Sequence, residues 1–415
     1  MSYRSAFSGM LLGLSCLAAA VRAEEPAEFT LAEVERFAIK HHPALTEAAA
    51  QTQVLRGKSD QAGAYPNPVI YASSPQWAGN ISQFNTYVGQ DFITGGKLKL
   101  DQAAATRAAD QADWAHSQAE HEVRTAVRQA FFSVLVAQRR YAVFAELQVV
   151  DDRSRDISRK LLEAGEGGLA DVLSLEAEAE IGRAKLENAE LQLLAAQSKL
   201  ASVTGSLDWE VPKLVGNLNA KLPNYQDQAV QAGVISENAL SQISRLEIDR
   251  TRVLLDRAIV QPVPNFNLQA GYQRSLDPST SPGLRDQGYA QFSVTVPLWD
   301  RNRGNIQAAQ SDLARASAQL RRVEAELAQK VVLALTDYRT SSRLVERYQT
   351  QIIPRTRQVL KLNQQLFEKG QTDFDRVFTA QRTLAEVELS YLDAQEKRWH
   401  AAATVAGLLR QEQFP

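Results

Sequence analysis

A change of periodicity between residues 289 and 306 constrains this chain more than any other feature of its sequence. Apolar residues first alternate with polar ones, as in a β-strand that has one apolar and one polar face. The apolar positions are Ala290, Phe292, Val294, Val296 and Leu298. From Ile306 onwards the apolar residues recur every three or four positions, which is typical of a helix that packs like a coiled coil. The sequence therefore predicts a short, membrane-type strand that leads directly into a very long helix.

The first residues have the pattern of a secretory signal. An apolar run from Met10 to Val21 follows Arg4, and Val21-Arg22-Ala23 forms a cleavage site with small residues. The run is too short to span a bilayer as a helix. Cys16 is the one cysteine of the chain, and it lacks the preceding Leu of a lipoprotein signal. We interpret residues 1–23 as a cleaved signal peptide and leave lipidation of the N-terminus open.

Composition limits the classes of function. The formal net charge is −2, so the chain has no basic excess that would indicate a nucleic-acid partner. Gly and Pro are few, which favours long helices over several compact domains. No segment after the signal resembles a transmembrane helix, so a role in a membrane would depend on β-strands.

The second half of the chain repeats the first. Pro66-x-Pro68 is echoed by Pro262-x-Pro264, and both halves predict helix, strand, strand, long helix, turn and helix in that order. The predicted organisation is a signal over 1–23, a first repeat over 24–205 with a hairpin at 66–93, a linker over 206–224, and a second repeat over 225–415 with a hairpin at 264–298. Pro354 lies inside the second long helix and predicts a kink.

The number of strands indicates an oligomer. Four strands cannot close a barrel, and a membrane excludes open sheet edges, so other copies must cover them. Two copies would give eight strands with a filled interior, whereas three copies would give twelve and leave a lumen. Each long helix would reach roughly 100 Å at about 1.5 Å per residue. We predict a mainly α fold with a small β part, in which a homotrimer forms a 12-stranded barrel in the outer membrane and a helical tube in the periplasm.

Three features resemble the TolC family of outer-membrane efflux proteins over the whole mature chain. They are the duplicated unit, the G-x-x-x-L/F turns at Gly165–Leu169 and Gly370–Phe374, and the junction PLWDRNRGNI, which contains Pro297, Asp300, Arg301, Arg303 and Gly304. The junction is similar to the P-L-F-D-R-N-x-G-N pattern of the heavy-metal branch, the cobalt-zinc-cadmium type, with Trp299 in place of Phe.

The resemblance implies an export duct of a tripartite efflux system, set in the outer membrane and extending into the periplasm. Its partners would be a periplasmic adaptor and an inner-membrane RND-type transporter driven by protons, with lipid around the strands and no cofactor. The two helix turns would be the adaptor-docking tips, with Gly165, Leu169, Gly370 and Phe374 as their residues.

The resemblance also implies a narrow periplasmic entrance. In well-known members, acidic side chains stand six and nine residues after the second tip glycine, where this chain has Arg376 and Thr379. Asp373 and Asp375 lie beside Arg376, and Asp171 holds the six-residue position after Gly165. The gate candidates are Asp171, Asp373, Asp375 and Arg376, and Arg376 would pair with a carboxylate of the neighbouring subunit.

Other patterns favour structural roles over chemistry. The adjacent imidazoles of His41 and His42 point apart on a helix, so they do not form a metal site. Asp151 and Asp152 are expected on a solvated helix face. Arg301 and Arg303 are expected near lipid phosphates at the strand–helix junction. We predict no catalytic, cofactor-binding or metal-binding residues, and we expect that the protein is not an enzyme.

Two further functions stay open at this point. The predicted solutes are heavy-metal cations, and the alternative within the same family is efflux of drugs or other organic solutes. A periplasmic coiled-coil scaffold or adaptor is an alternative of another class. It would share the heptads and the signal, but it would not need four alternating strands, and an adaptor would carry lipoyl-like all-β modules.

Overall fold

The computed structural model describes residues 28–76, 83–206, 208–277 and 279–415. The predicted signal peptide therefore lies outside the described residues. The first half contains α1 (Leu31–His41), α2 (Pro43–Ala62), β1 (Val69–Gln76), β2 (Gln83–Phe92), α3 (Lys97–Glu163) and α4 (Leu169–Val203). The second half contains α5 (Asp227–Glu237), α6 (Ala239–Val260), β3 (Phe266–Ser275), β4 (Asp286–Val294), α7 (Arg303–Arg347), α8 (Ile353–Glu368) and α9 (Phe374–Leu408). The predicted mainly helical, duplicated unit is confirmed.

The two halves also share their helix caps. The first helix of each half breaks at one polar residue, His42 or Asn238, whose side chain accepts a hydrogen bond from the backbone N–H two residues later. Each long helix begins after a residue in the left-handed conformation, Gly96 (φ 68°) or Asn302 (φ 59°). Different residues therefore adopt the same helix-capping role and the same backbone conformation at equivalent positions of the two halves.

The strand–helix junction differs from the prediction. β4 ends at Val294 and α7 begins at Arg303, so eight residues without regular structure separate them. Val296 and Leu298 were predicted in the strand, but they lie in this irregular segment. The reason is that β3 begins at Phe266, which pairs with Val294. The described sheet therefore offers no partner strand beyond that pair.

The second long helix is interrupted as Pro354 predicts. A turn of π-helix at Tyr348–Ile352 separates α7 from α8. Proline has no N–H, and its ring clashes with the carbonyl four residues earlier, so a wider turn ahead of it relieves both problems. α3 has no such interruption over its 67 residues.

The four strands form one antiparallel sheet in the order β1-β2-β3-β4. The register places apolar residues opposite one another on one face. That face contains Ile70, Val88, Phe92, Phe266, Leu268, Ala270, Ala290, Phe292 and Val294. The other face carries mainly polar residues such as Asn85, Gln269 and Gln291. Ile70 is 75% and Phe292 62% exposed, so the described chain leaves much of the apolar face uncovered.

The helices form an open wall whose order follows the order of the strands. Next to the sheet, α2 packs on α3, α3 on α6, and α6 on α7. Towards the helix turns, α4 packs on α3, α3 on α9, and α9 on α7 and α8. One edge of the described wall therefore carries β1, α2 and α4, and the other carries β4, α7 and α8. Among the described residues, no helix has the length and apolar character needed to cross a membrane.

A buried ion pair joins the beginning, middle and end of the chain. Arg128 of α3 is fully buried, and its Nε donates to Glu35 Oε1 of α1 at 2.6 Å. Its other nitrogens donate to the backbone carbonyls of Gln411 (3.0 Å) and Glu412 (2.7 Å), and its guanidinium lies over the ring of Phe414. The largest apolar cluster surrounds this point and includes Val34, Val127, Phe131, Phe132 and Trp399.

Replacing Arg128 by methionine should strongly destabilise the protein. The substitution leaves the Glu35 carboxylate buried without its partner, and such losses typically cost about 3 to 5 kcal/mol. The thermal unfolding midpoint of the detergent-purified protein measures the effect. Arg56→Met is the matched control, because the pair of Arg56 with Asp113 is exposed and worth about 0 to 1 kcal/mol. Equal losses in the two variants would contradict the expectation.

Candidate functional site at the helical tips

Two glycine turns end the helix pairs at the side of the wall away from the sheet. Gly165 (φ 79°) lies between α3 and α4, and Gly370 (φ 64°) lies between α8 and α9. In each turn the next N–H donates to a carbonyl five residues earlier, Glu166 to Leu161 and Gln371 to Leu366, both at 2.9 Å. A Cβ at either glycine would meet open space. The backbone angle, rather than crowding, therefore selects glycine at both tips.

The carboxylates predicted at the gate lie at helix N-termini. Asp171 is in the first turn of α4 and accepts a hydrogen bond from the Gly168 N–H at 3.3 Å. Asp373 is the N-cap residue of α9, and Asp375 follows in its first turn. Negative side chains at these positions interact favourably with the helix dipole. All three aspartates can therefore stabilise helix N-termini within a single chain.

A cavity of about 670 Å³ lies between the two tips. We call it the tip cavity; its walls come from α3, α4, α9 and the first turn. Of the predicted tip and gate residues, Asp171, Asp373, Phe374 and Asp375 line it. Leu169 is 61% exposed, while Arg376 is exposed and is not among the lining residues. The structure thus brings the three aspartates to one space and leaves Arg376 apart from them.

Sequence reasoning missed an ion pair that crosses this cavity. Arg382 Nη1 of α9 lies 2.7 Å from Glu178 Oε2 of α4, and both residues line the tip cavity. The pair joins the second helix pair to the first. Its sequence signal is weak, because 204 positions separate two ordinary helix-surface charges.

Asp151 contradicts the expectation of a solvated helix face. Its residue is 5% exposed, and its Oδ1 has no hydrogen-bond partner among the described residues. Burial raises the pKa of Asp151 to about 6, against the opposing charge of Arg382. The close packing comes from Gly182 of α4, where an added Cβ would lie 2.6 Å from Asp151 Oδ2. Asp152 is partly exposed, as expected, and pairs with Arg155 and Arg183.

The strand–helix junction is fastened by a residue that the prediction omitted. Asn302 donates through Nδ2 to the Ala258 carbonyl at 2.8 Å, and its N–H donates to Asp300 Oδ1 at 2.9 Å. Arg301 and Arg303 are exposed, and Pro297 is partly buried. Gly304 is in open space within the first turn of α7. Asparagine adopts the left-handed conformation more readily than most residues but does not require it, so the residue type alone did not predict this role for Asn302.

The side chains described at the tips are charged pairs and hydrogen-bonding groups. No group of three or more His, Cys, Asp or Glu side chains within the described ranges is arranged to hold a metal ion. The tip cavity combines carboxylates with one paired guanidinium and several hydroxyl groups. Such a set can fasten the two helix pairs to each other.

Comparison with known proteins identifies the family. Residues 36–206 and 236–409 match the family described as "Outer membrane efflux protein". The chain is 24% identical over 369 residues to the cobalt-zinc-cadmium resistance protein CzcC of Cupriavidus metallidurans, covering 88% of this chain and 86% of that protein. The chain belongs to the outer membrane efflux protein family, which confirms the predicted family and its location in the outer membrane.

Solved structures share the fold. A crystal structure of CusC superimposes with a TM-score of 0.78 at 16% identity and covers 92% of both chains. The open state of the Neisseria gonorrhoeae MtrE outer membrane channel gives a TM-score of 0.76 at 16% identity, covering 91% of this chain and 88% of that one. These likenesses confirm the TolC-like architecture.

Asp151→Asn should change how stability depends on pH. With its pKa raised from 3.8 to about 6, Asp151 keeps its proton in the folded chain at pH values where the unfolded chain has lost it. Protonated Asp151 therefore contributes to the free energy of unfolding, and this contribution is fully present below about pH 4. It is lost as the pH rises to about 6, and the loss is at most about 3 kcal/mol. Denaturant titrations of both proteins between pH 4 and 7 measure the difference.

Asp152→Asn is the matched control for that experiment. Hydrogen bonding from Gln148 lowers the pKa of Asp152, so its contribution has the opposite sign and is lost as the pH falls. If Asp151→Asn left the pH profile of the wild type unchanged, Asp151 would be solvated and the assignment would be wrong.

Proposed function

We propose that three copies of this outer membrane efflux protein close into a ring, forming a duct that exports heavy-metal cations. The observation that carries the proposal is that the order of the strands in the sheet matches the order of the helices in the wall. β1 lies at the same edge as α2 and α4, and β4 lies at the same edge as α7 and α8. One edge of a copy can therefore meet the other edge of the next copy along the whole length of the molecule.

The physics of the sheet supports closure by other copies. Unpaired strand edges are not tolerated in hydrocarbon, so the outer edges of β1 and β4 need partners. An interface between two different edges is heterologous, and it forms a closed ring when the rotation between copies closes. Twelve strands from three copies leave a lumen, whereas eight from two copies do not. The apolar face of the sheet would face lipid, and the polar face would line the duct.

The tips are proposed to dock a periplasmic adaptor, which would connect the duct to an inner-membrane RND-type transporter. Leu169 is exposed beside the first turn, and the Gly370 turn stands in open space, so both are available to a partner. In the same ring, Asp171, Asp373, Asp375 and Arg376 would be repeated three times around the periplasmic entrance. Repeated carboxylates at a narrow opening favour the passage of cations.

The class of solute is proposed from the relative and from the junction. CzcC is described as a cobalt-zinc-cadmium resistance protein, and the PLWDRNRGNI segment resembles the heavy-metal branch. A duct for small cations needs no tight metal site, because its solute must leave as readily as it enters. Organic solutes remain the alternative that the following experiment separates.

Deleting the gene should lower the tolerance of the cell to zinc, cobalt and cadmium salts. Growth with each metal, and separately with dyes and antibiotics, measures the effect, and a plasmid-borne copy should restore it. Unchanged metal tolerance together with increased sensitivity to dyes would contradict the metal proposal and would favour an organic solute.

Gly370→Val should abolish efflux while the oligomer still reaches the outer membrane. A β-branched residue in the left-handed conformation costs roughly 1 to 2 kcal/mol, which distorts the turn proposed to dock the adaptor. Metal tolerance and the abundance of the oligomer in outer-membrane fractions are the two measurements. Gly57→Val is the control, because Gly57 is helical and also borders open space. Normal efflux in the Gly370 variant would count against docking at this turn.

A further inference from the structure

We propose that Arg343 and Arg347 of α7 pair with Glu187 and Glu190 of α4 in a second copy of this chain and so set the register of neighbouring copies. This inference rests on the proposed ring, because it names the contact by which one edge recognises the other. The two arginines and the two glutamates lie on opposite edges of the described wall, so they cannot pair with each other within one copy. We call this contact the inter-copy seam.

The basic side of the seam is a stripe on the free face of α7. Arg339, Arg343 and Arg347 recur every four residues, so they share one face of the helix. α7 buries Val331, Ala334, Leu335, Tyr338 and Val345, and the stripe is turned away from these residues. Arg339 Nη2 pairs with Asp227 of α5 at 2.6 Å. Arg343 and Arg347 are exposed, and the described residues contain no ionic partner for either.

The acidic side lies on the opposite edge, on α4. Glu187 and Glu190 are exposed, and within the described part of the chain neither has an ionic partner. Each of them lies four residues, or about one helical turn, before an exposed leucine: Leu191 is 65% and Leu194 is 53% exposed. α4 buries Gly182, Ala189 and Leu200 instead. Exposed leucines beside carboxylates that have no ionic partner among the described residues form a surface that suits a partner with apolar and basic residues.

The two sides lie at the same level of the wall. Arg140 of α3 hydrogen-bonds to Gln192 of α4 and to Asp393 of α9, which places those two residues level. On the far side of α9, the ring of Tyr391 is 6.1 Å from that of Tyr348, the residue after Arg347. Between these contacts the positions along the helix axes differ by only a few residues, at about 1.5 Å per residue. A neighbouring copy related by rotation about the duct axis would therefore bring its α4 carboxylates opposite the α7 guanidinium groups.

An apolar contact continues the seam towards the tips. Val359, Leu362 and Leu366 of α8 are exposed at the spacing of a coiled-coil seam, and Leu173 and Ile181 are exposed on α4. Apolar residues at this spacing tolerate a slip by one heptad, whereas charged pairs do not, because a slip removes attraction or brings like charges together. The arginines and glutamates therefore select one register among those that the leucines allow.

Site-directed cross-linking tests the contact in the intact protein. The only native cysteine is Cys16 in the predicted signal, so introduced thiols are read without background. The chain with both Arg347→Cys and Glu187→Cys should give covalent dimers and trimers with a bismaleimide in outer-membrane fractions. The control combines Arg347→Cys with Asp249→Cys, an exposed position on α6 away from the seam, and should stay monomeric on denaturing gels.

Charge reversal tests the electrostatic part. Arg343→Glu with Arg347→Glu should lower the fraction of oligomer in mild detergent several-fold at low salt and less at high salt, because salt screens the repulsion. Adding Glu187→Arg and Glu190→Arg should restore it. If the wild-type chain is an oligomer but the Arg347→Cys and Glu187→Cys chain gives no cross-links, the seam is overturned and the ring still stands. The same conclusion follows if the second charge reversal does not restore the oligomer. A wild-type chain that is monomeric in mild detergent overturns the ring and the seam together.

Discussion

The buried guanidinium of Arg128 is the interaction on which the rest of the molecule depends. A charged group without water is tolerated only when its donors are used, and here Glu35 and the carbonyls of Gln411 and Glu412 use them. These partners come from the first helix and from the tail after the last helix. The middle of α3 is therefore clamped between the two ends of the chain, and both repeats are held at one level.

The clamp leaves the tips as the weaker end of the wall. They lie roughly 35 residues below Arg128 along α3, or about 50 Å. The contacts that fasten them include the pairs Arg159–Glu176 and Arg382–Glu178, which are partly exposed and worth about 0 to 1 kcal/mol each. A partner that binds the tips can therefore shift their arrangement without disturbing the core. The adaptor docking proposed for the tips would need this division between a rigid middle and a less rigid end.

Periodicity and turn chemistry predict this fold well, because both depend on neighbouring residues. The helix break at His42, the glycine turns and the effect of Pro354 all follow from local backbone rules. The misses depend on distant partners. Val296 alternates correctly, but β3 begins opposite Val294 and leaves it unpaired. Asp151 looks like an ordinary surface charge, and only the absence of a side chain at Gly182, on the next helix, shows that it is buried.

One difference between the two repeats affects how their long helices reach the tips. The helix of the first repeat runs unbroken from the sheet to its tip, whereas that of the second changes to a π-turn at Tyr348–Ile352 before Pro354. The turn lies below the apolar cluster that joins α7 to α9 through Leu327, Val331 and Val405. Pi-turns and prolines are where long helices bend. The second long helix therefore has a place to bend on the tip side of that cluster, whereas α3 has no such place along its length.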